Sequence, residues 1–224
     1  MPKRSVVLAP GEYYHIFNRG VAKNPIFASP KDYRRLFATF QYYRWETTPL
    51  RLSFFLHAPI EERIRILEKL RTEKKPTITP ICYTFMPNHF HLLVRQESKQ
   101  GVQNFMQHSM NSYSKFFNTK YHRVGGLFQG SFKAVRIESD DQLIHVSRYI
   151  HINPAVSYLI AEDHLFSYPW SSLLEYMSGK KIFVDTEPIL QHFKSINSYR
   201  QFLLDHIDYA KKLELIKHLI FEKK

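Results

Sequence analysis

The stretch YTFMPNHFHLLV, residues 83–94, decides how the rest of the chain is read. Strand-forming residues (TITPICYTF, 77–85) run up to Pro87-Asn88, and HFHLLVR (89–95) continues beyond it. Pro followed by Asn marks a bend, a bulge or an edge position, so the segment reads as two strands on either side of a break. Along the second strand, side chains alternate between faces. Phe90, Leu92 and Val94 turn one way and can anchor the strand in a core. His89 and His91 turn the other way, about 6.6 Å apart by the usual rise per residue. Imidazoles at that separation can lean onto one cation with bonds of roughly 2.1 Å. A bare H-x-H is nonetheless more often two polar residues on a wet strand face.

Outward from this pair, strands and helices alternate. EYYHIFNRG (12–20) is strand-like and stops at Gly20. Ser29, Pro30 and Asp32 then make an N-cap, a first-turn proline and a capping-box partner for a helix with the stripe Tyr33, Leu36, Phe37 and Phe40. Residues 46–59 carry no clear pattern. The next segment, 59–75, predicts a shorter helix with Ile60, Ile64, Leu67 and Leu70 on one side.

After the histidine strand, Val102, Phe105, Met106, Met110, Tyr113, Phe116 and Phe117 recur at helical spacing. HRVGG (122–126) is a turn and LFQGSFKAVRIE (127–138) a strand. Ser139 with Gln142 starts another helix, which Pro154 is expected to end. YPWSSLLEYMSGK (168–180) reads as a final packed piece, and two helices with a basic end follow from about residue 185. Strands interleaved with helices in this order predict an α+β sandwich with helices on one main face.

The 224 residues, 44% hydrophobic and 15% aromatic, suffice for a good-sized core and exclude a generally disordered chain. Thirty-two basic residues against 20 acidic ones, a formal charge of +12, favour a polyanionic partner, nucleic acid before acidic membrane. The apolar run near the N-terminus (6–9) is too short for a secretory segment, and no run is long enough to span a membrane. Cys82 is the only cysteine, which excludes an intrachain disulfide and a cysteine-cluster zinc site. A reducing, cytoplasmic and nucleoid-associated setting is the expectation.

Two histidines do not complete a metal site. In the helix after Ser139, Tyr149 and Asn153 stand at i and i+4 on one face. Asn offers a hard carbonyl oxygen suited to Mg²⁺ or Mn²⁺, and Tyr a phenolic oxygen that could act as nucleophile. The more ordinary reading of that helix alone is a tyrosine at a helix–sheet seam and an asparagine capping the end before Pro154. His145, one turn before Tyr149, is a speculative proton relay, with a solvated surface histidine as the commoner case. Tyr113 is a rival nucleophile whose apolar stripe argues for the core.

Taken together, MPNHFHLLV, GGLFQGSFKAVRIESDDQLIHVSRYIHINP and YPWSSLLEY, in this order, resemble the REP-associated tyrosine transposases, a branch of the single-tyrosine HUH transposases. The resemblance spans roughly residues 12–178. It implies an α+β fold, a ferredoxin-like antiparallel sheet flanked by helices, in a domain of residues 1–178. A helical, partly basic extension (179–224) follows. It also implies a divalent metal ion, Mg or Mn, held by His89, His91 and Asn153, with Tyr149 as the nucleophile.

The implied substrate is single-stranded DNA with an adjacent hairpin, a REP-like repeat, and the implied chemistry is cleavage and strand transfer through a 5′-phosphotyrosine. A hairpin-binding protein that does not cut is the alternative, and monomer and homodimer are both open. Asn18, Arg19, Gln129, Lys133 and Arg136 are candidate DNA contacts. Where the family pattern has Trp-Gln-x-Arg after the glycine turn, this chain has Phe128-Gln129-Gly130-Ser131. One expected phosphate contact is thereby lost, for which Lys133 and Arg136 could substitute.

Overall fold

The computed structural model describes residues 6–221, with residues 215–221 described as helical backbone only. Its regular elements are β1 (Tyr13–Arg19), α1 (Pro30–Tyr43), α2 (Leu52–His57), α3 (Ile60–Glu73), β2 (Ile78–Met86), β3 (His89–Gln96), α4 (Gly101–Lys120), β4 (Lys133–Ile137), α5 (Asp140–Val156), α6 (Leu173–Ser178), α7 (Glu187–Leu190), α8 (Ile196–Leu204) and α9 (Ile207–Phe221). The four strands form one sheet in the order β2-β3-β1-β4. Pro87-Asn88 is a tight turn joining β2 and β3 as a hairpin, the bend among the readings that the sequence allowed, and β2 is an edge strand. With β1 and β3 central and the strands antiparallel, this is the ferredoxin-like α+β arrangement that the resemblance implies. At the centre of β3 residues of both parities are buried, so helices do not keep to one face there.

The chain forms two compact units. One holds residues up to Thr79, Pro87–His89 and Val94–Arg136; the other holds Pro80–Met86, Phe90–Leu93 and the residues from Ile137.

In the first unit the expected capping box forms. Ser29 and Asp32 cap α1, with Pro30 in its first turn. Asp32 is fully buried and gathers five donors: the N–H groups of Ala28 and Ser29, the Ser29 hydroxyl, the Tyr121 hydroxyl at 2.8 Å and Lys120 Nζ at 2.6 Å. This group ties the start of α1 to the end of α4, and the two helices pack along their apolar stripes. Phe40 and Phe105 meet with ring centroids 5.3 Å apart. Tyr113 is core, as its stripe suggested: it is fully buried and donates its hydroxyl proton to Ile26 O at 2.5 Å.

The unpatterned residues after Tyr43 contain the short helix α2. Together with α3 it builds a separate small core of Tyr42, Leu52, Phe55 and Leu70. Ile60 and Ile64, expected to face inward, are 57% and 50% exposed. Ile66 and Leu67 pack against this core with Leu70, so the buried side is rotated from the one the isoleucines predicted.

In the second unit, α5 begins at Ser139, whose side chain accepts Gln142 N–H at 3.2 Å. Pro154 does not end it. The helix runs to Val156, and Ser157 N–H bonds to Asn153 O at 2.9 Å. A proline loses one N–H bond to the preceding turn, and at the last turn that loss is tolerated when packing holds the helix; Ile150, Pro154 and Ala155 are all buried.

The YPWSSLLEY piece closes on β2 through the Tyr168 hydroxyl to Phe85 O (2.7 Å), the Thr84–Ser171 bridge and the Tyr176 hydroxyl to Ile81 O (3.0 Å). Glu175 is buried and accepts the N–H groups of Ile182, Phe183 and Val184. Three helices rather than two follow, and α8 and α9 pack on α5.

Candidate active site

In the first unit, the residues around His89 form a continuous hydrogen-bonded group. Gly20 N–H donates to Asn88 O at 2.8 Å, and a Cβ on Gly20 would lie 2.0 Å from Asn24 O, so only glycine admits this approach. Asn88 Nδ2 donates to Lys23 O at 3.2 Å. That contact orients the amide, so its Oδ1 is the atom 2.7 Å from His89 Nδ1. His89 therefore carries its proton on Nδ1. Burial, helped by the positive Arg19, lowers the His89 pKa to about 4. At neutral pH the ring is uncharged, as a metal ligand must be.

Arg19 is exposed, and its Nη2 lies 3.3 Å from Gln129 Oε1; Gln129 N–H in turn donates to Arg19 O at 2.8 Å. Asn18 is different. It is buried, its Oδ1 accepts Arg19 N–H, and its Nδ2 reaches Gly130 O at 3.4 Å. Its polar atoms hold the 128–130 turn rather than facing solvent. Lys133 is exposed on β4, whereas Arg136 is paired with Glu12 at 2.9 Å.

In the second unit, His91 is buried and Tyr149 is 47% exposed. Their rings meet edge to face with centroids 5.4 Å apart and an interplanar angle of 84°. The structure thus brings one expected metal ligand against the expected nucleophile. Because α5 continues past Pro154, Asn153 lies inside the helix, one turn from Tyr149 on the same face, and both line a cavity of about 430 Å³. No hydrogen bond among the described residues engages the Asn153 side-chain amide.

His145 does not suit the relay. Arg148 Nη2 lies 2.7 Å from its Nδ1, and a guanidinium only donates, so the lone pair of the neutral ring is already used.

Behind Tyr149, His151 is fully buried. Its Nδ1 lies 2.7 Å from the Tyr199 hydroxyl and its Nε2 2.8 Å from Ser172 Oγ, which also accepts Tyr83 N–H. Burial lowers its pKa to about 3, so it is a neutral cross-link from α5 to α8 and, through Ser172, to β2.

Among the described residues, no three His, Cys, Asp or Glu side chains cluster as a metal site. Of the expected ligands in the second unit, His91 offers an imidazole nitrogen and Asn153 an amide oxygen, a donor that suits a hard ion. The donor chemistry fits Mg²⁺ or Mn²⁺.

Two contributors were not singled out in the sequence: Asn88, which directs His89, and α9, which supplies Ala210 and Leu213 to the cavity, with His206 just before it. Asn88 was findable as an amide next to the first histidine. The α9 residues carry no local signal.

Residues 47–153, a little under half of the chain, match the family model described as IS200-like transposase. The matched span contains His89, His91, Tyr149 and Asn153. No curated protein sequence matches the chain. Among solved structures, the fold is similar to that of a REP-associated tyrosine transposase bound to a REP hairpin. That match has a TM-score of 0.51 and 12% identity, and covers 80% of this chain and 86% of the other. The likeness drawn from the motifs is therefore present in sequence over 47–153 and in fold over most of the chain. No helix among the described residues is long and apolar enough to cross a membrane.

Proposed function

We propose that this chain is a metal-dependent single-strand DNA endonuclease and strand transferase that works beside a DNA hairpin through Tyr149. The observation that carries this reading is a half-exposed phenol set edge-on against His91, one helical turn from Asn153. A tyrosine buried for packing alone, such as Tyr113, gives its hydroxyl to the backbone and exposes none of its ring. The IS200-like match over the same residues and the hairpin-bound structural neighbour support the substrate class.

His89, His91 and Asn153 are the residues that would hold the cation. When bound, a divalent ion supplies Lewis-acid polarisation of the phosphate and orients it. The rest belongs to the chain. Asn88 holds the His89 ring by its Nδ1. His151, from the opposite side of α5, holds the helix that presents Tyr149.

The Tyr149 oxygen attacks phosphorus, a Tyr–O–P bond forms, and the bond from phosphorus to the 3′ oxygen breaks. The tyrosyl proton is released and the 3′ oxygen leaves as a hydroxyl. The 5′-phosphotyrosine remains a phosphodiester, so the reverse attack can rejoin DNA without ATP. Arg19, Gln129, Lys133 and Arg136 are the backbone contacts of this proposal, with Arg136 the weakest because Glu12 already neutralises it.

The test is a denaturing gel of labelled hairpin-flanked single-stranded DNA incubated with the protein and Mn²⁺. The expected result is a covalent adduct that Tyr149→Phe lowers by roughly three orders of magnitude or more. Cleavage that persists without an adduct would point to a hydrolase. Intact DNA with a tight mobility shift would point to a hairpin binder.

A further inference from the structure

The cavity that Tyr149 and Asn153 line has the composition of a ligand pocket rather than of a packing gap. It is lined by apolar (Ile152, Ala210, Leu213) and polar (Arg148, Tyr149, Asn153) side chains, and its volume of about 430 Å³ lies within the range of small-ligand sites. It lies within the second unit, between α5 and α9. We propose that it takes the nucleobase next to the attacked phosphate, extruded from the single strand; this rests on the reading of Tyr149 as nucleophile.

Three observations select a base over other occupants. A strand whose phosphate is at the Tyr149 hydroxyl has its neighbouring base only one sugar away, and the cavity is the concave space that shares the Tyr149 wall. A base is flat, apolar on its faces and polar at its edge, which matches a lining that mixes aliphatic side chains with hydrogen-bonding ones. The third is Arg148, beside Tyr149. Its guanidinium lies 4.1 Å over the Phe202 ring and donates to His145 Nδ1, so it is held in place on the pocket wall. An immobilised planar guanidinium can read a base edge with little loss of side-chain freedom. An aliphatic ligand would leave the polar lining unused, and a bare phosphate would leave the apolar lining uncovered.

Two variants of the full chain test this. Ala210→Trp fills the cavity, and Leu213→Ala, on a half-exposed position, removes part of its apolar lining. Hairpin-flanked oligonucleotides carry 2-aminopurine, or an abasic site, at one position at a time on either side of the cleaved bond. In wild type, one adjacent position is expected to lose 2-aminopurine fluorescence on binding. An abasic site there should slow adduct formation about tenfold or more, the size of one stacked base. In Ala210→Trp the fluorescence change disappears, and the intact and abasic substrates react equally slowly. Leu213→Ala gives a partial loss of both.

An adduct with no sensitive position in wild type, or an Ala210→Trp protein of unchanged melting temperature that behaves as wild type, overturns the pocket while leaving the nucleophile reading intact. A position-specific fluorescence change that Ala210→Trp abolishes, in a protein that forms no adduct, upholds the pocket and removes the nucleophile. If Ala210→Trp melts early, Leu213→Ala decides on the same readouts.

Discussion

Asn88 accepts the Nδ1 proton of His89 at 2.7 Å while its own amide nitrogen is held by Lys23 O. The turn that makes the hairpin therefore also sets the tautomer of His89, the first of the two histidines proposed to hold metal. Partners of this kind are typically worth 10- to 100-fold in metal affinity. Asn88→Ala is expected to weaken Mn²⁺ binding by roughly that factor, measured by calorimetry on the free protein. Asn88→Asp, which keeps an acceptor, should recover part of it. Unchanged affinity in Asn88→Ala would mean that His89 does not bind metal through Nε2.

Arg19 and Lys133 are exposed, whereas Asn18 is turned inward. If the two cations contact phosphates, each replacement by Ala should reduce the salt dependence of single-strand affinity. The slope of log K against log salt should fall by about 0.7 per contact. Arg136→Ala should change it less, because Glu12 already compensates that charge. Equal effects at all three positions would show that the charge acts only in bulk.

Asp32 is the ionic hub of the first unit. Its burial works to raise the carboxyl pKa, but the bonds from Lys120, Tyr121 and the Ala28 N–H prevail and hold it below the ordinary 3.8. A carboxylate depressed in the fold contributes stability that is fully present above its unfolded pKa and is lost as pH falls through the folded one. The loss therefore lies below about pH 4. Asp32→Asn is expected to cost about 2–4 kcal/mol at pH 7, since Lys120 loses its partner. It should also flatten the acid end of the stability curve, read from urea melts at several pH values. A variant as acid-sensitive as wild type would assign that transition to other carboxylates.

Tyr199 reaches His151 from α8 with its hydroxyl at 2.7 Å. Tyr199→Phe leaves a buried ring nitrogen without that partner, which costs about 1–3 kcal/mol. A chain of this size should melt roughly 2–12 °C lower. The same variant should slow adduct formation more than it weakens DNA binding, because α5 carries Tyr149, whereas the cations proposed to contact DNA do not lie on α5 or α8. A loss confined to binding would assign α8 to DNA contact instead.

The elements most legible in the sequence were those marked by local chemistry. Ser29-Pro30 and Asp32 foretold the start of α1, Ser139 and Gln142 that of α5, and the stripe from Val102 to Phe117 the buried side of α4. Each signal is short-range, since a cap or an i, i+4 stripe is satisfied by its own neighbours. Where packing decides, local signals failed. Pro154 was expected to stop a helix that burial carries to Val156, and Ile60 and Ile64 were expected inside but lie exposed.

For the site, spacing alone put His89 with His91 and Tyr149 with Asn153, because residues two apart on a strand and four apart on a helix share a face whatever surrounds them. Only the folded chain could bring His91 against Tyr149 across 58 positions of sequence, direct Asn88 onto one ring nitrogen and spend the His145 lone pair on Arg148. It alone places α9 over the cavity beside the phenol. Contacts between elements distant in the chain are set by the burial of whole apolar faces, and no window of sequence carries that information.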